Sequence, residues 1–134
     1  EYIQKKYSTD TNRVYVCGMS LGGYGTLHFV GKYASKITAA VALCGGGNTK
    51  DAKNLATIPL WIQHGTTDEA VSVSQSREVV AAIKSVNKGE NLVYTEHKGV
   101  NHGGLERVFR TDEMYDWLFQ FKRISSGIVE LIEE

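Results

Sequence analysis

Ser20 sits in Gly18-Met19-Ser20-Leu21-Gly22, a hydroxyl between two glycines at the spacing G-x-S-x-G. The run before it, Arg13-Val14-Tyr15-Val16-Cys17, is β-branched and aromatic and reads as a buried strand. The stretch from about Leu21 to Tyr33 carries Leu27, Val30 and Ala34 three and four apart, as on one face of a helix. A serine on so sharp a strand-to-helix turn is held in a strained conformation with its Oγ above the sheet. Flanking glycines leave room for the turn, and Gly23 with Gly25 continues a small-residue face that lets the helix pack close to the sheet. The Leu21 N–H then lies at the helix N-terminus, where unpaired donors and the helix dipole favour a developing oxyanion. Composition alone produces such a pentapeptide in roughly one chain of this length in 25. The strand on its left and the helix on its right make it specific. The competing reading is a plain tight turn in which Ser20 caps the helix.

A serine is a weak nucleophile by itself, so a base and a carboxylate that orients it are required. Asp68 follows the apolar run Leu60-Trp61-Ile62-Gln63 in a loop broken at Gly65, and His102 follows a fourth run in Lys98-Gly99-Val100-Asn101-His102-Gly103. Each therefore sits on the loop after a different strand, the edge at which sites form in sheets of this kind. Among the rivals, Glu69 points away if Asp68 points in, and Asp112 and Asp116 read as cap and surface residues. His64, at a strand end, reads as a support for the loop. His97 reads as strand-end surface and His28 as packed or half-exposed on the helix.

The elements that would position these residues alternate. Ala39-Ala40-Val41-Ala42-Leu43 is a second strand stopped by Gly45-Gly46-Gly47, and Pro59 precedes the third. A helix is expected from about Ser74 to Val86, with Val79, Ile83 and Val86 on one stripe. The fourth strand, Asn91 to Glu96, is more polar and so nearer an edge. Met114, Trp117, Leu118 and Phe121 mark a last helix capped by Thr111 or Asp112. Strand–helix alternation implies right-handed crossovers and a mostly parallel sheet of about four strands, an α/β fold. For the amphipathic stretch 124–134, a terminal helix, a swapped arm and the start of a further segment all fit.

The 134 residues include fifteen acidic and fifteen basic ones, so no net field recruits nucleic acid or an anionic membrane. No apolar run of about 18 residues predicts a membrane-spanning helix. Cys17 and Cys44 both close apolar runs and read as buried, reduced thiols. No C-x-x-C or H-E-x-x-H spacing suggests a metal. The chain starts at Glu1 without a methionine or leader, and is expected to be processed, cut or excerpted. Nothing in the residues specifies a compartment.

From Arg13 to about Arg123 the sequence resembles the α/β-hydrolase superfamily, most closely the peptidases and carboxylesterases related to prolyl oligopeptidase, polyhydroxybutyrate depolymerase and feruloyl or acetyl-xylan esterases. The matching segments are Gly18 to Thr26, Cys44-Gly45-Gly46-Gly47, Ile58 to Gly65, Asp68, Val71 to Ser74 with Ser76-Arg77, and the loop ending at His102. In that superfamily the chain order is Ser, then Asp or Glu, then His. The resemblance implies Ser20 as nucleophile, Asp68 as acid, His102 as base and the Leu21 N–H as an oxyanion donor, with no metal or cofactor. It implies the C-terminal half of the fold, with residues 1–123 as catalytic domain and 124–134 as a tail or helix. Glu1 to Tyr7 would be the helix entering the nucleophile strand. The implied activity is cleavage of carboxylic esters, small or carbohydrate-linked, through an acyl-enzyme. A prolyl-oligopeptidase-type peptidase and a non-catalytic module on the same fold are the alternatives. The superfamily's fold starts with several strands before the nucleophile, and these also carry the second oxyanion donor. Without them the first strand is an apolar edge. A companion N-terminal polypeptide, a self-association covering that edge, or an inactive fragment is therefore expected.

Overall fold

The computed structural model describes residues 1–124 and 128–132. Five residues before the first loop form α1 (Tyr2–Lys6), and the sheet follows: β1 (Tyr15–Met19), β2 (Ala39–Leu43), β3 (Leu60–Gly65) and β4 (Leu92–His97). All pair in parallel in the order β1-β2-β3-β4. The crossovers are α2 (Leu21–Tyr33), α3 (Ala52–Leu55) and α4 (Val73–Asn87), and α5 (Asp112–Phe119) follows the sheet.

Parallel strands need covering on both faces, and the period-two side-chain alternation divides the core accordingly. Ala40, Ala42, Leu60 and Ile62 pack with Leu27 and Val30 of α2, Leu55 of α3 and Val79 and Ile83 of α4. Ala39, Val41, Leu43 and Trp61 face the other way, onto Met114 and Leu118 of α5 and Leu105 and Val108 of a 3₁₀ helix over Gly103–Arg110. Every residue of β2 and β3 is buried.

The strand pattern begins two residues later than the sequence suggests, at Tyr15, and β1 is half-buried because, among the described residues, it has a strand partner on one side alone. For the same reason Cys17 is exposed rather than buried, whereas Cys44, at the end of the central β2, is buried; both are free thiols. On α4 the buried stripe is Ser76, Val79, Val80 and Ile83. Val86 falls off it, since 3.6 residues per turn bring Asn87 into line instead. Val86 is 44% exposed, while Asn87 Nδ2–H donates to the Ala56 carbonyl at 3.0 Å. The helix at α5 begins after Thr111, whose hydroxyl donates back to the Val108 carbonyl instead of capping. Phe121 lies past its end, in β5 (Phe121–Arg123), which pairs antiparallel with β6 (Val129–Leu131). Part of 124–134 is thus a strand and not a helix; residues 125–127 and 133–134 lie outside the described ones. Among the described residues no helix is long and apolar enough to cross a membrane.

Ile62 is fully buried at the centre of β3. Ile62→Ala is expected to lower the unfolding free energy by about 2–5 kcal/mol, and Val86→Ala by less than about 0.5 kcal/mol. Urea unfolding of both variants checks the contrast, and equal losses would contradict the burial of Ile62 in β3 and the exposure of Val86 on α4.

Candidate active site

Ser20 joins β1 to α2 with φ 59° and ψ −114°, a left-handed φ that non-glycine residues rarely adopt. Its backbone keeps it there: the N–H donates to the Leu43 carbonyl at 2.9 Å and the carbonyl accepts from the Tyr24 N–H at 3.0 Å. Gly18 has no room for a side chain, because a Cβ would overlap the Gly22 backbone. Gly23 lies back to back with Gly45, whose Cβ would come within 2.7 Å of the Gly23 carbonyl carbon. Gly22 and Gly25, by contrast, face open space, so these two glycines are not required by packing. The expected small-residue face is Gly23 alone. Leu21 opens α2 with its side chain 85% exposed, and its N–H belongs to the first turn, where helix donors have no intrahelical partner.

Asp68 lies three residues past β3, its side chain fully buried. One carboxylate oxygen, Oδ1, accepts from the N–H groups of Ala70 at 2.9 Å and Val71 at 2.8 Å. The other, Oδ2, is 2.7 Å from His102 Nδ1. Burial by itself raises the Asp68 pKa, but the Val71 N–H, the His102 imidazole and the Ala70 N–H together hold it below the usual carboxylate range. Asp68 is therefore an anion at neutral pH and can only accept. That places the proton of neutral His102 on Nδ1 and leaves the Nε2 lone pair toward Ser20 Oγ, 3.0 Å away. The Ser20 hydroxyl can donate to that nitrogen.

The loops carrying Asp68 and His102 are stitched together by backbone. Thr66 N–H donates to the His97 carbonyl at 3.1 Å, Thr67 N–H to the Val100 carbonyl at 3.2 Å, and Gly99 N–H to Thr66 Oγ1 at 2.8 Å. Gly65 permits this contact, since a Cβ there would strike the Val100 carbonyl. His102 starts the 3₁₀ helix anchored by Leu105, fully buried, while its own side chain stays 26% exposed toward solvent.

His64 does support the acid loop: it is wholly buried, with Nε2 2.8 Å from the Val71 carbonyl and Nδ1 2.7 Å from Ser76 Oγ on α4. Glu69, Asp112 and Asp116 are exposed. His28 is exposed on α2 rather than packed. His97 is half-buried instead of lying on the surface, because its Nε2 is held 2.7 Å from Gln63 Oε1. Burial lowers its pKa, with Arg107 acting in the same direction. Sequence reasoning missed two features. One is the clamp of backbone donors on Asp68, which has no side-chain signature. The other is Cys44, one residue past β2, held at φ 40° and signalled only by the three glycines after it.

Residues 1–115 match the Dienelactone hydrolase family. The chain belongs to it. A stretch of 76 residues is 40% identical to the bifunctional acetylxylan esterase/xylanase XynS20E of Neocallimastix patriciarum, covering 56% of this chain and 11% of that protein. A thermostable esterase superposes with a TM-score of 0.84 at 30% identity, over 91% of this chain and 34% of its own. The Pyrococcus horikoshii acylaminoacyl peptidase shares the fold, with a TM-score of 0.74 at 17% identity over 89% of this chain and 26% of its own. The chain thus spans about a tenth of the fungal protein's length and about a third of the esterase's. With a parallel four-stranded sheet flanked by helices, this family member has an α/β-hydrolase architecture.

Because the folded Asp68 titrates below its unfolded value, its ionised form adds stability above the ordinary carboxylate pKa of about 3.9. That stability is lost as pH falls through the lower folded value. Wild type is expected to exceed Asp68→Asn in stability at pH 7, with the difference closing below about pH 4. Thermal unfolding of both proteins across pH 2–7 checks this, and a gap unchanged to the acid limit would contradict it.

Proposed function

We propose that this chain carries the catalytic centre of a serine hydrolase that cleaves carboxylic esters. The observation that carries the reading is the unbroken hydrogen-bond chain from Asp68 Oδ2 through His102 to Ser20 Oγ, with separations of 2.7 and 3.0 Å. Ser20 Oγ attacks the ester carbonyl as His102 Nε2 takes its proton, and Asp68 holds the imidazole tautomer and offsets the charge of the imidazolium. The Leu21 N–H donates to the oxyanion of the tetrahedral intermediate. His102 then returns the proton to the leaving alcohol, and a water repeats the sequence to release the acid. Preorganisation favours this chemistry, because the φ of Ser20 and the two backbone donors on Asp68 fix the geometry before substrate arrives.

The substrate class we infer is an acyl ester on a small molecule or a carbohydrate, supported by the acetylxylan esterase/xylanase and thermostable esterase likenesses at 40% and 30% identity. Peptide cleavage is the second reading, and its support is a fold likeness to the acylaminoacyl peptidase. We further propose that polypeptide beyond these residues, or a second copy, covers β1. That strand pairs on one side alone, and an apolar cleft of about 650 Å³ opens beside Val14, Val16 and Phe29. Polypeptide beyond these residues, unlike a second copy, would also bring the second oxyanion donor, whose loss typically costs about 10² to 10³ in turnover.

Rates on an aryl acetate, an acetylated xylo-oligosaccharide and a proline-containing peptide test the reading. Ester hydrolysis is expected to dominate and to fall at least about 10⁴-fold in Ser20→Ala. A rate that the substitution leaves unchanged, or a preference for the peptide, would reject the esterase assignment.

A further inference from the structure

Cys44 is the nucleophilic side chain next to the hydrogen-bonded relay that the reaction above leaves unused. It lies one residue past Leu43 of β2, as Ser20 lies one residue past Met19 of β1, and Met19 pairs with Leu43. Its N–H donates to the Gln63 carbonyl at 2.8 Å, and its side chain is fully buried. The Cys44 Sγ, a carboxylate oxygen of Asp68 and a ring nitrogen of His102 all lie within 4.8 Å of one another. Among the described residues this is the one group of three such donors so close together.

We propose that Cys44, Asp68 and His102 form a binding site for a thiophilic divalent cation such as Zn²⁺ or Cd²⁺, and that its occupation switches hydrolysis off. The inhibitory half of this inference rests on the esterase reading; the binding half does not. Thiolate, carboxylate and imidazole are the donors that Zn²⁺ takes, at about 2.0–2.3 Å, so tetrahedral donors stand about 3.5 Å apart. No two of the three donors are more than 4.8 Å apart, so shifts of about 1 Å bring them to tetrahedral spacing, and His102, 26% exposed, leaves a way in from solvent.

A divalent cation displaces the Cys44 thiol proton into solvent and forms the metal–sulfur bond. The thiolate and the Asp68 carboxylate then neutralise the two positive charges, which removes the penalty of a buried net charge.

Either imidazole nitrogen gives the same functional result. Coordination at Nε2 occupies the lone pair that would accept the Ser20 proton. Coordination at Nδ1 displaces its hydrogen from the Asp68 bond and leaves the neutral ring protonated at Nε2, which can no longer act as a base. A relay of Ser, His and Asp alone offers the cation two donors; the buried sulfur supplies the third.

The test uses the full chain with Cys17→Ser, which removes the exposed thiol from the readout. Titration with Cd²⁺ is expected to raise a thiolate-to-metal absorption band, and Zn²⁺ to inhibit aryl acetate hydrolysis, both reversed by EDTA. Adding Cys44→Ser, or Cys44→Ala should the serine variant fold poorly, is expected to abolish the band and, measured against that variant's own metal-free rate, to raise the inhibitory Zn²⁺ concentration by at least about 100-fold, more than an outer partner's loss costs. His102→Ala is expected to weaken Cd²⁺ binding in the absorption assay. Inhibition unchanged in Cys44→Ser, or no band in the chain that retains Cys44, would overturn the proposal. A chain that binds Cd²⁺ at Cys44 and His102 yet hydrolyses no ester would instead refute the esterase reading and leave the metal site standing.

Discussion

One row of the parallel sheet, Met19, Leu43, Gln63 and Thr95, fixes where Ser20, Asp68 and His102 meet. Each residue of the row pairs with its neighbour, and the chain leaves the regular ladder close to it on every strand. Ser20 follows Met19 directly, Cys44 follows Leu43, and His64 follows Gln63. Asp68 and His102 come from the loops that β3 and β4 feed. Side chains alternate between faces with a period of two, so a slip of one residue would turn each to the other face. The buried, two-sided apolar patterning of β2 and β3 prevents that slip. Core packing and site geometry are therefore one constraint.

Within that frame the relay depends on backbone groups more than on neighbouring side chains. The Asp68 carboxylate is buried, which alone would favour its neutral form, and the N–H groups of Ala70 and Val71 restore the charge. His64 reinforces the turn by binding the Val71 carbonyl from below. The Gly65–Val100 contact brings the base loop against the acid loop. At the opposite side, the Ser20 N–H bond to Leu43 fastens the strained turn to the central strand. The carboxylate sits in a dry setting while the imidazole and hydroxyl keep an opening to solvent.

What was legible in the sequence follows from these causes. Strand runs ending in glycine are local signals, so β2, α2 and the loops holding Ser20, Asp68 and His102 could be read from composition and spacing. Edges are not local. Whether β1 is covered depends on what pairs with it, and the exposure of Cys17 follows from that. Phe121 continues a helical spacing from Met114, Trp117 and Leu118, yet pairing with β6 takes it into a strand. His97 reads as surface until Gln63, on the neighbouring strand, is placed beside it. Cys44 meets Asp68 and His102 only through the register of three strands, which no spacing along the chain reveals.

The proposed chemistry stands or falls with an activated nucleophile at Ser20. Labelling the intact chain with a fluorophosphonate, followed by mass spectrometry of the whole protein and of its peptides, reads this out. One phosphonyl group per chain is expected, on the peptide containing Ser20, and none after His102→Ala. An unmodified chain, or a label carried by another residue, would contradict it.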